Sequence, residues 1–153
     1  MKHTILDYIG YQSYIYFYFI TFIATILYRQ DLLWFVILVS VINWNLNTAL
    51  KLIFKQPRPK NIIAFNGHKP KFYGMPSGHA QTATFNSFIL AYITQSKYVV
   101  AFSVFICATV FYHRLKYNAH TQLQVFFGAL VGLLYGYASI TWLHPLVNQI
   151  FSI

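Results

Sequence analysis

The 153 residues carry 8% charged and 58% hydrophobic side chains, against about 25% charged in an average soluble domain, so the chain cannot cover a water-facing surface and belongs in a bilayer. Its formal charge of +9 comes from 11 Lys and Arg against 2 Asp and Glu. The basic residues sit in short loops between apolar runs, which argues against nucleic acid and for anionic lipid or phosphate as partner. A lone Cys107 inside an apolar run excludes an internal disulfide and a Cys-based zinc site.

In chain order, Met1 to Ser13 reads as a short polar lead. Tyr14 to Tyr28 is a first apolar run, about 22 Å as a helix. That is short for a bilayer, so the helix is expected to extend back toward Tyr8. Arg29 and Asp31 follow the run where a signal peptide would have small residues, so no cleavable signal is expected. Leu32 to about Phe54 is a second span. It carries Asn43, Asn45 and Asn47; Asn43 and Asn47 lie one turn apart, where polar side chains glue helices together or orient a site.

Lys55 to Met75 is a long basic loop broken by Pro57, Pro59, Gly67, Pro70 and Gly74. Ser77 to Thr94, Tyr98 to Tyr112 and His120 to about Trp142 complete the helices, with His113 to Ala119 a second basic loop. Pro145 ends or kinks the last helix. Gly128, Gly132 and Gly136 form a smooth stripe for a close helix neighbour, within the monomer by preference and in a homo-oligomer as the alternative. Together these give an all-α, multi-pass integral membrane bundle of about five transmembrane helices, one domain over 1–153.

Five alternating spans put the N-terminus and both basic loops on one face, leaving only Arg29 and Lys97 of the cations on the other. Three clusters meet on that first face. The first is Lys51-x6-Arg58-Pro59, the second Pro76-Ser77-Gly78-His79, and the third Arg114-x5-His120-x3-Gln124. Pro and Ser favour a helix start, whose free N–H groups bind anions, and Gly78 permits close approach. A capped helix with a core histidine would use the same residues. Lys51, Arg58 and Arg114 make three cations for one polyanion, Arg with a fork suited to phosphate. His79 and His120 add two imidazoles. Gln124, one turn past His120, is placed to accept the Nδ1 proton and leave Nε2 free. Asp7 and Asp31 are the only carboxylates and lie outside the clusters, so no Mg²⁺ or Ca²⁺ cage is expected. A zinc site from His68, His79, His113 and His120 is disfavoured by the neighbouring cations.

These blocks resemble the signature of the type 2 phosphatidic acid phosphatase (PAP2) superfamily, which includes lipid phosphatases and vanadium haloperoxidases. That signature reads Lys-x6-Arg-Pro, Pro-Ser-Gly-His and Ser-Arg-x5-His-x3-Asp. The likeness covers about Asn43 to Gly136. His113 stands in place of the Ser, and Gln124 in place of the Asp. The wording KQPRP, YGMPSGHAQ and HTQLQVFFGALVG is similar to the dolichyl diphosphatase branch, which shares the Gln; Gly78 follows the wider superfamily.

The resemblance implies a PAP2/haloperoxidase-like core and a cofactor-free, metal-independent lipid phosphatase or diphosphatase. His120 would attack phosphorus and form a phosphohistidine, with His79 protonating the leaving oxygen. Lys51, Arg58 and Arg114 would clamp the phosphoryl group, with Ser77 and the Gly78 N–H assisting. The branch implies a lumenal site in the endoplasmic reticulum, whereas the cation count favours the cytoplasmic side. A non-catalytic phospholipid-binding protein is the reading that the two departures favour.

Overall fold

The structure is a computed structural model that describes residues 3–65, Gly67 and 73–151. The expected His68, and the basic loop residues Lys69 and Lys71, lie outside the described residues, as does Lys2. Six α-helices follow in order: α1 Ile5–Tyr28, α2 Leu33–Phe54, α3 Gly78–Thr94, α4 Lys97–Lys116, α5 Gln122–Ala138 and α6 His144–Phe151. A 3₁₀ turn, Gln30–Leu32, leads into α2, and a π-helical segment, Ser139–Leu143, joins α5 to α6. The first five are the five expected helices. Among the described residues, three stretches are long and apolar enough to cross a membrane: Gln30–Phe54, Lys97–Lys116 and Gln122–Val147.

The differences in helix bounds have local causes. α1 begins well before Tyr14 because Thr4 and Asp7 form a reciprocal capping box. Asp7 also accepts from Lys116 Nζ at 2.7 and 2.8 Å, pinning the start of α1 to the end of α4. The polar lead is therefore the first turns of a helix. α4 continues past Tyr112 to Lys116, so His113 and Arg114 belong to its last turn and not to a loop. α5 begins at Gln122, because Thr121 and Gln124 form a second capping box; His120 stands just outside the helix. Pro145 lacks the N–H that an α-helix would use one turn back, and the π-helical segment lies immediately before it. The chain continues helical beyond it.

α3 is the hub. It packs on α5 most extensively, then on α1 and α4, and on α2 more lightly. That central place explains why α3 buries Gln81, Thr82 and Asn86 among Phe85, Ile89 and Leu90. The core is modest, while large apolar side chains point outward, Trp34 at 76% exposure and Phe19 at 64% among them. Such an outer surface suits lipid.

The glycine stripe is consumed inside the monomer. A Cβ on Gly128 would strike the Ser77 carbonyl, one on Gly132 would strike the Gln81 carbonyl, and one on Gly136 would lie 3.1 Å from Phe88 Cβ. α5 thus rides directly on the backbone of α3, and the stripe has no face left for a homo-oligomer. Gly10 does the same for α1 and α4: a side chain there would meet His113 Cβ and the Thr109 carbonyl, both at 2.6 Å.

Candidate active site

The ends of α2, α4 and the starts of α3 and α5 meet around a cavity of about 500 Å³. Lys51, Arg58, Gly78, His79, Arg114 and His120 all line it, so the three sequence clusters converge on one space. Ser77 and Gln124 stand behind this lining and are fully buried.

His120 is held from three sides. Its Nδ1 lies 3.2 Å from Gln124 Oε1. The Thr121 N–H donates to the same oxygen at 3.3 Å, and Gln124 Nε2 donates to Gln56 Oε1 and to the Pro57 carbonyl, each at 2.9 Å. A backbone N–H can only donate and a carbonyl can only accept, so these partners fix which way the amide points. The proton therefore sits on His120 Nδ1, and Nε2 carries the lone pair. Arg58 NH1 donates to that Nε2 at 2.7 Å and to the Ala119 carbonyl at 2.7 Å. Burial, then the charges of Arg58, Lys51 and Arg114, hold the His120 imidazole well below its ordinary value of 6.5. It is a neutral base facing the cavity. Burial also lowers the Arg58 guanidinium to about 10, still a cation at neutral pH.

The reach from Gln124 to His120 differs in origin from the sequence expectation. The two do not share a helix face, since His120 precedes the helix. Gln124 folds back as the capping residue of α5, and His120 meets it there. Gly74 makes room: a Cβ on it would press against the Gln124 amide carbon at 2.6 Å.

The start of α3 is built differently. Ser77 occupies the N-cap position but makes no side-chain capping bond. Its N–H donates to the Gln124 carbonyl at 2.9 Å, and its Oγ is buried with no hydrogen-bond partner among the described residues. His79 Nε2 and Arg114 Nε are buried without one as well. A buried polar atom left unpaired is costly, and an anion in the cavity that His79 and Arg114 line is a partner of the right charge for them. His79 packs on Tyr14 with ring centres 4.3 Å apart. Arg114 lies 5.6 Å from the Tyr11 ring and bonds His113 Nδ1 at 2.7 Å. The His that replaces Ser therefore supports Arg114. Lys51 Nζ bonds the Pro76 carbonyl.

Asn43 and Asn47 do both things the sequence left open. Gln81 Nε2 donates to Asn43 Oδ1 at 2.9 Å, and Asn47 Nδ2 donates to Gln81 Oε1 at 2.7 Å, joining α2 to α3. Asn47 also lines the cavity, and a Cβ on Gly78 would lie 2.9 Å from its Oδ1. Gly78 thus admits Asn47 to the helix start. Sequence reasoning missed Gln56, Tyr14, Trp44, Thr48, Tyr73 and Thr82 in or behind this lining; no motif marks them. No group of three or more His, Cys, Asp or Glu side chains able to hold a metal comes together among the described residues.

The chain is 28% identical over 127 residues to dolichyldiphosphatase 1 of Dictyostelium discoideum, covering 75% of this chain and 54% of that protein. It is 35% identical over 140 residues to lipid phosphate phosphatase epsilon 2, chloroplastic, of Arabidopsis thaliana, covering 84% and 46%. It thus spans about half the length of these relatives. In fold it resembles the transmembrane PAP2 type phosphatidylglycerolphosphate phosphatase of Bacillus subtilis, with TM-score 0.71 at 22% identity over 92% of this chain and 74% of that one. Aquifex aeolicus LpxE gives TM-score 0.69 at 22% identity over 92% and 88%. The PAP2 superfamily model matches residues 31–147, most of the chain including all three clusters, and the protein belongs to that superfamily.

Proposed function

We propose that this protein is a metal-independent membrane lipid phosphatase that hydrolyses a polyprenyl diphosphate of the dolichyl type to the monophosphate and phosphate. The observation that carries the reading is the cavity-facing lone pair of His120 Nε2, set among Lys51, Arg58 and Arg114.

In the free protein Arg58 caps that lone pair. A terminal phosphoryl group would draw the Arg58 N–H onto its own oxygens and take the vacated position. His120 Nε2 then attacks phosphorus, and the bond to the bridging oxygen breaks. His79 Nε2 delivers a proton to that oxygen, and the polyprenyl monophosphate leaves. Water attacks the phosphohistidine with His79 taking its proton, releasing phosphate and restoring His120. Lys51, Arg58 and Arg114 stabilise the charge on the equatorial oxygens, with Ser77 and the Gly78 N–H assisting.

A neutral Gln124 supports the imidazole less strongly than a carboxylate would. This favours a leaving group that departs easily, and a phosphate monoester, with second pKa near 6, is such a group. The likeness to a protein named dolichyldiphosphatase supports the same substrate. The second reading is a lipid monophosphate substrate, supported by the 35% identity to a lipid phosphate phosphatase. Phosphate release from purified protein, with excess chelator, against isoprenyl diphosphates, isoprenyl monophosphates and phosphatidate decides between them. Preference for a diphosphate supports the first reading; preference for phosphatidate replaces it with the second. Loss of activity with chelator, restored by Mg²⁺, contradicts both as metal-free mechanisms.

A further inference from the structure

The chain holds two carboxylates, and both are engaged elsewhere. Asp7 accepts from Thr4 and Lys116, and Asp31 pairs with Arg29. The charged and titratable groups that face His120 are Lys51 of α2, Arg58 of the loop after it, His79 of α3 and Arg114 of α4. On its Nδ1 side His120 is supported by two neutral amides in series. Gln124 Oε1 lies 3.2 Å from His120 Nδ1, and Gln124 Nε2 donates to Gln56 Oε1 at 2.9 Å. Gln56 is half-buried, and its carbonyl accepts from the Gly74 N–H at 2.8 Å. Gly74 is the residue whose missing side chain makes room for the Gln124 amide. Gln56 therefore holds that amide with its side chain and the wall beside it with its backbone.

A flipped Gln124 amide would present its Nε2 to His120 Nδ1, drive the proton to His120 Nε2 and remove the lone pair from the cavity. The Gln56 oxygen, like the Pro57 carbonyl, opposes that flip. The same oxygen carries no charge. When His120 Nε2 bonds phosphorus, the ring keeps its Nδ1 proton and gains positive charge, which amides stabilise less than a carboxylate would.

We infer that Gln56 is a positioning residue for His120, acting through Gln124, and that its neutral side chain restricts the site to phosphates with a good leaving group. The inference rests on the lipid phosphatase reading above. Gln56 is also where negative charge can enter without breaking the site. A carboxylate at 124 would lose the bond to Pro57, whereas one at 56 accepts from Gln124 Nε2 and leaves both Gln124 bonds in place. A unit charge roughly 8 Å from an imidazole, at an effective dielectric of about 20 and with solvent screening, raises its pKa by about one.

The test reads His120 and turnover separately. Modification of His120 by diethylpyrocarbonate, followed by peptide mass, reports the unprotonated imidazole against pH with no substrate present. In Gln56→Glu its midpoint should rise by about one pH unit, and the kcat/KM ratio of polyprenyl monophosphate to polyprenyl diphosphate should rise about tenfold. In a Gln124→Ala background Gln56→Glu should lose most of that midpoint shift. In Gln56→Leu kcat should fall about threefold to tenfold, the fold-change of one neutral hydrogen bond, with KM unchanged. An unmoved midpoint or an unmoved ratio in Gln56→Glu overturns the inference. So does an undiminished shift in the Gln124→Ala background, which would be a field acting without Gln124. Where Gln56→Glu does not fold, Gln56→Leu decides, and a wild-type kcat there shows that Gln56 only packs its loop. If wild type hydrolyses neither phosphate, the phosphatase reading fails, and the midpoint shift still judges Gln56.

Discussion

Two groups of buried polar side chains lie near the first turns of α3, and they differ in how their hydrogen bonds are met. Asn43, Asn47 and Gln81 satisfy one another between α2 and α3, and Asn43 reaches on to Tyr18. At the neighbouring helix ends, Ser77 Oγ, His79 Nε2 and Arg114 Nε are buried with no partner among the described residues, His79 and Arg114 lining the cavity and Ser77 behind it. Other unpartnered atoms lie away from the cavity lining, among them the Ser13 and Ser103 hydroxyls and His113 Nε2, which packs against α1. The satisfied group is a finished joint. The unsatisfied group is arranged for something that arrives. Removing a member of the first should therefore cost stability, and removing a member of the second should cost turnover.

The largest expected effect falls on the cations of the second group. Arg58→Ala or Arg114→Ala should lower kcat/KM by roughly 100-fold or more, the scale of losing one preorganised donor. Arg→Lys should restore only part, since the two-pronged geometry is lost. Wild-type rates in the Ala variants would reduce both residues to helix flanks.

Next comes Gln124. On the sequence alone, Asp here would match the superfamily signature and keep or raise activity. The structure argues otherwise, because the Gln124 amide donates to Gln56 Oε1 and to the Pro57 carbonyl. A carboxylate would leave the Pro57 carbonyl unpaired and set negative charge against it. Gln124→Asp should lower kcat/KM on a diphosphate about tenfold, the equivalent of one buried group left unsatisfied. Gln124→Ala should lower turnover too, while expression and membrane insertion stay intact. If Gln124→Ala matches wild type on every substrate, the residue only packs the helix.

The comparison itself is sharpened by Ser77→Ala against Gln81→Leu. Gln81→Leu takes the donor from Asn43 Oδ1 and the 2.7 Å acceptor from Asn47 Nδ2, and should lower thermal stability by about 1–3 kcal/mol. Ser77→Ala removes an unpartnered hydroxyl, so it should leave the melting temperature unchanged and lower activity. The reverse pattern would show that the two groups had been assigned the wrong way round.

The smallest effect is in pH dependence. With its folded pKa lowered, His120 stays neutral as pH falls through 6.5 and gains a proton only well below it. The acidic limb of kcat/KM assigned to His120 should lie below 6.5, and it should shift upward in Lys51→Ala as one repelling charge is removed.

Much of this was legible in the sequence because hydrophobic run length and three spaced motifs are local signals. Lys51, Arg58, His79, Arg114 and His120 could be placed on one face from loop parity alone. Gln56 could not, since its role comes from contact with Gln124 across 68 positions. The start of α1 was hidden because Thr4 and Asp7 cap a helix whose first turns are polar enough to read as a lead. The extent of α4 was masked by a cluster of charges that burial accommodates: His113 stacks on Tyr117 at 4.5 Å, and Arg114 is held between His113 and Tyr11. The glycine stripe was visible, but its occupant, the α3 backbone, depends on tertiary packing.

The central claim is that His120 is the nucleophile. Rapid quenching of the purified protein with polyprenyl diphosphate labelled in its terminal phosphate, in excess chelator, tests it most directly. The account predicts an acid-labile, base-stable label on the peptide containing His120, absent from His120→Ala together with turnover. Turnover surviving in His120→Ala, or a label on any other residue, would contradict it.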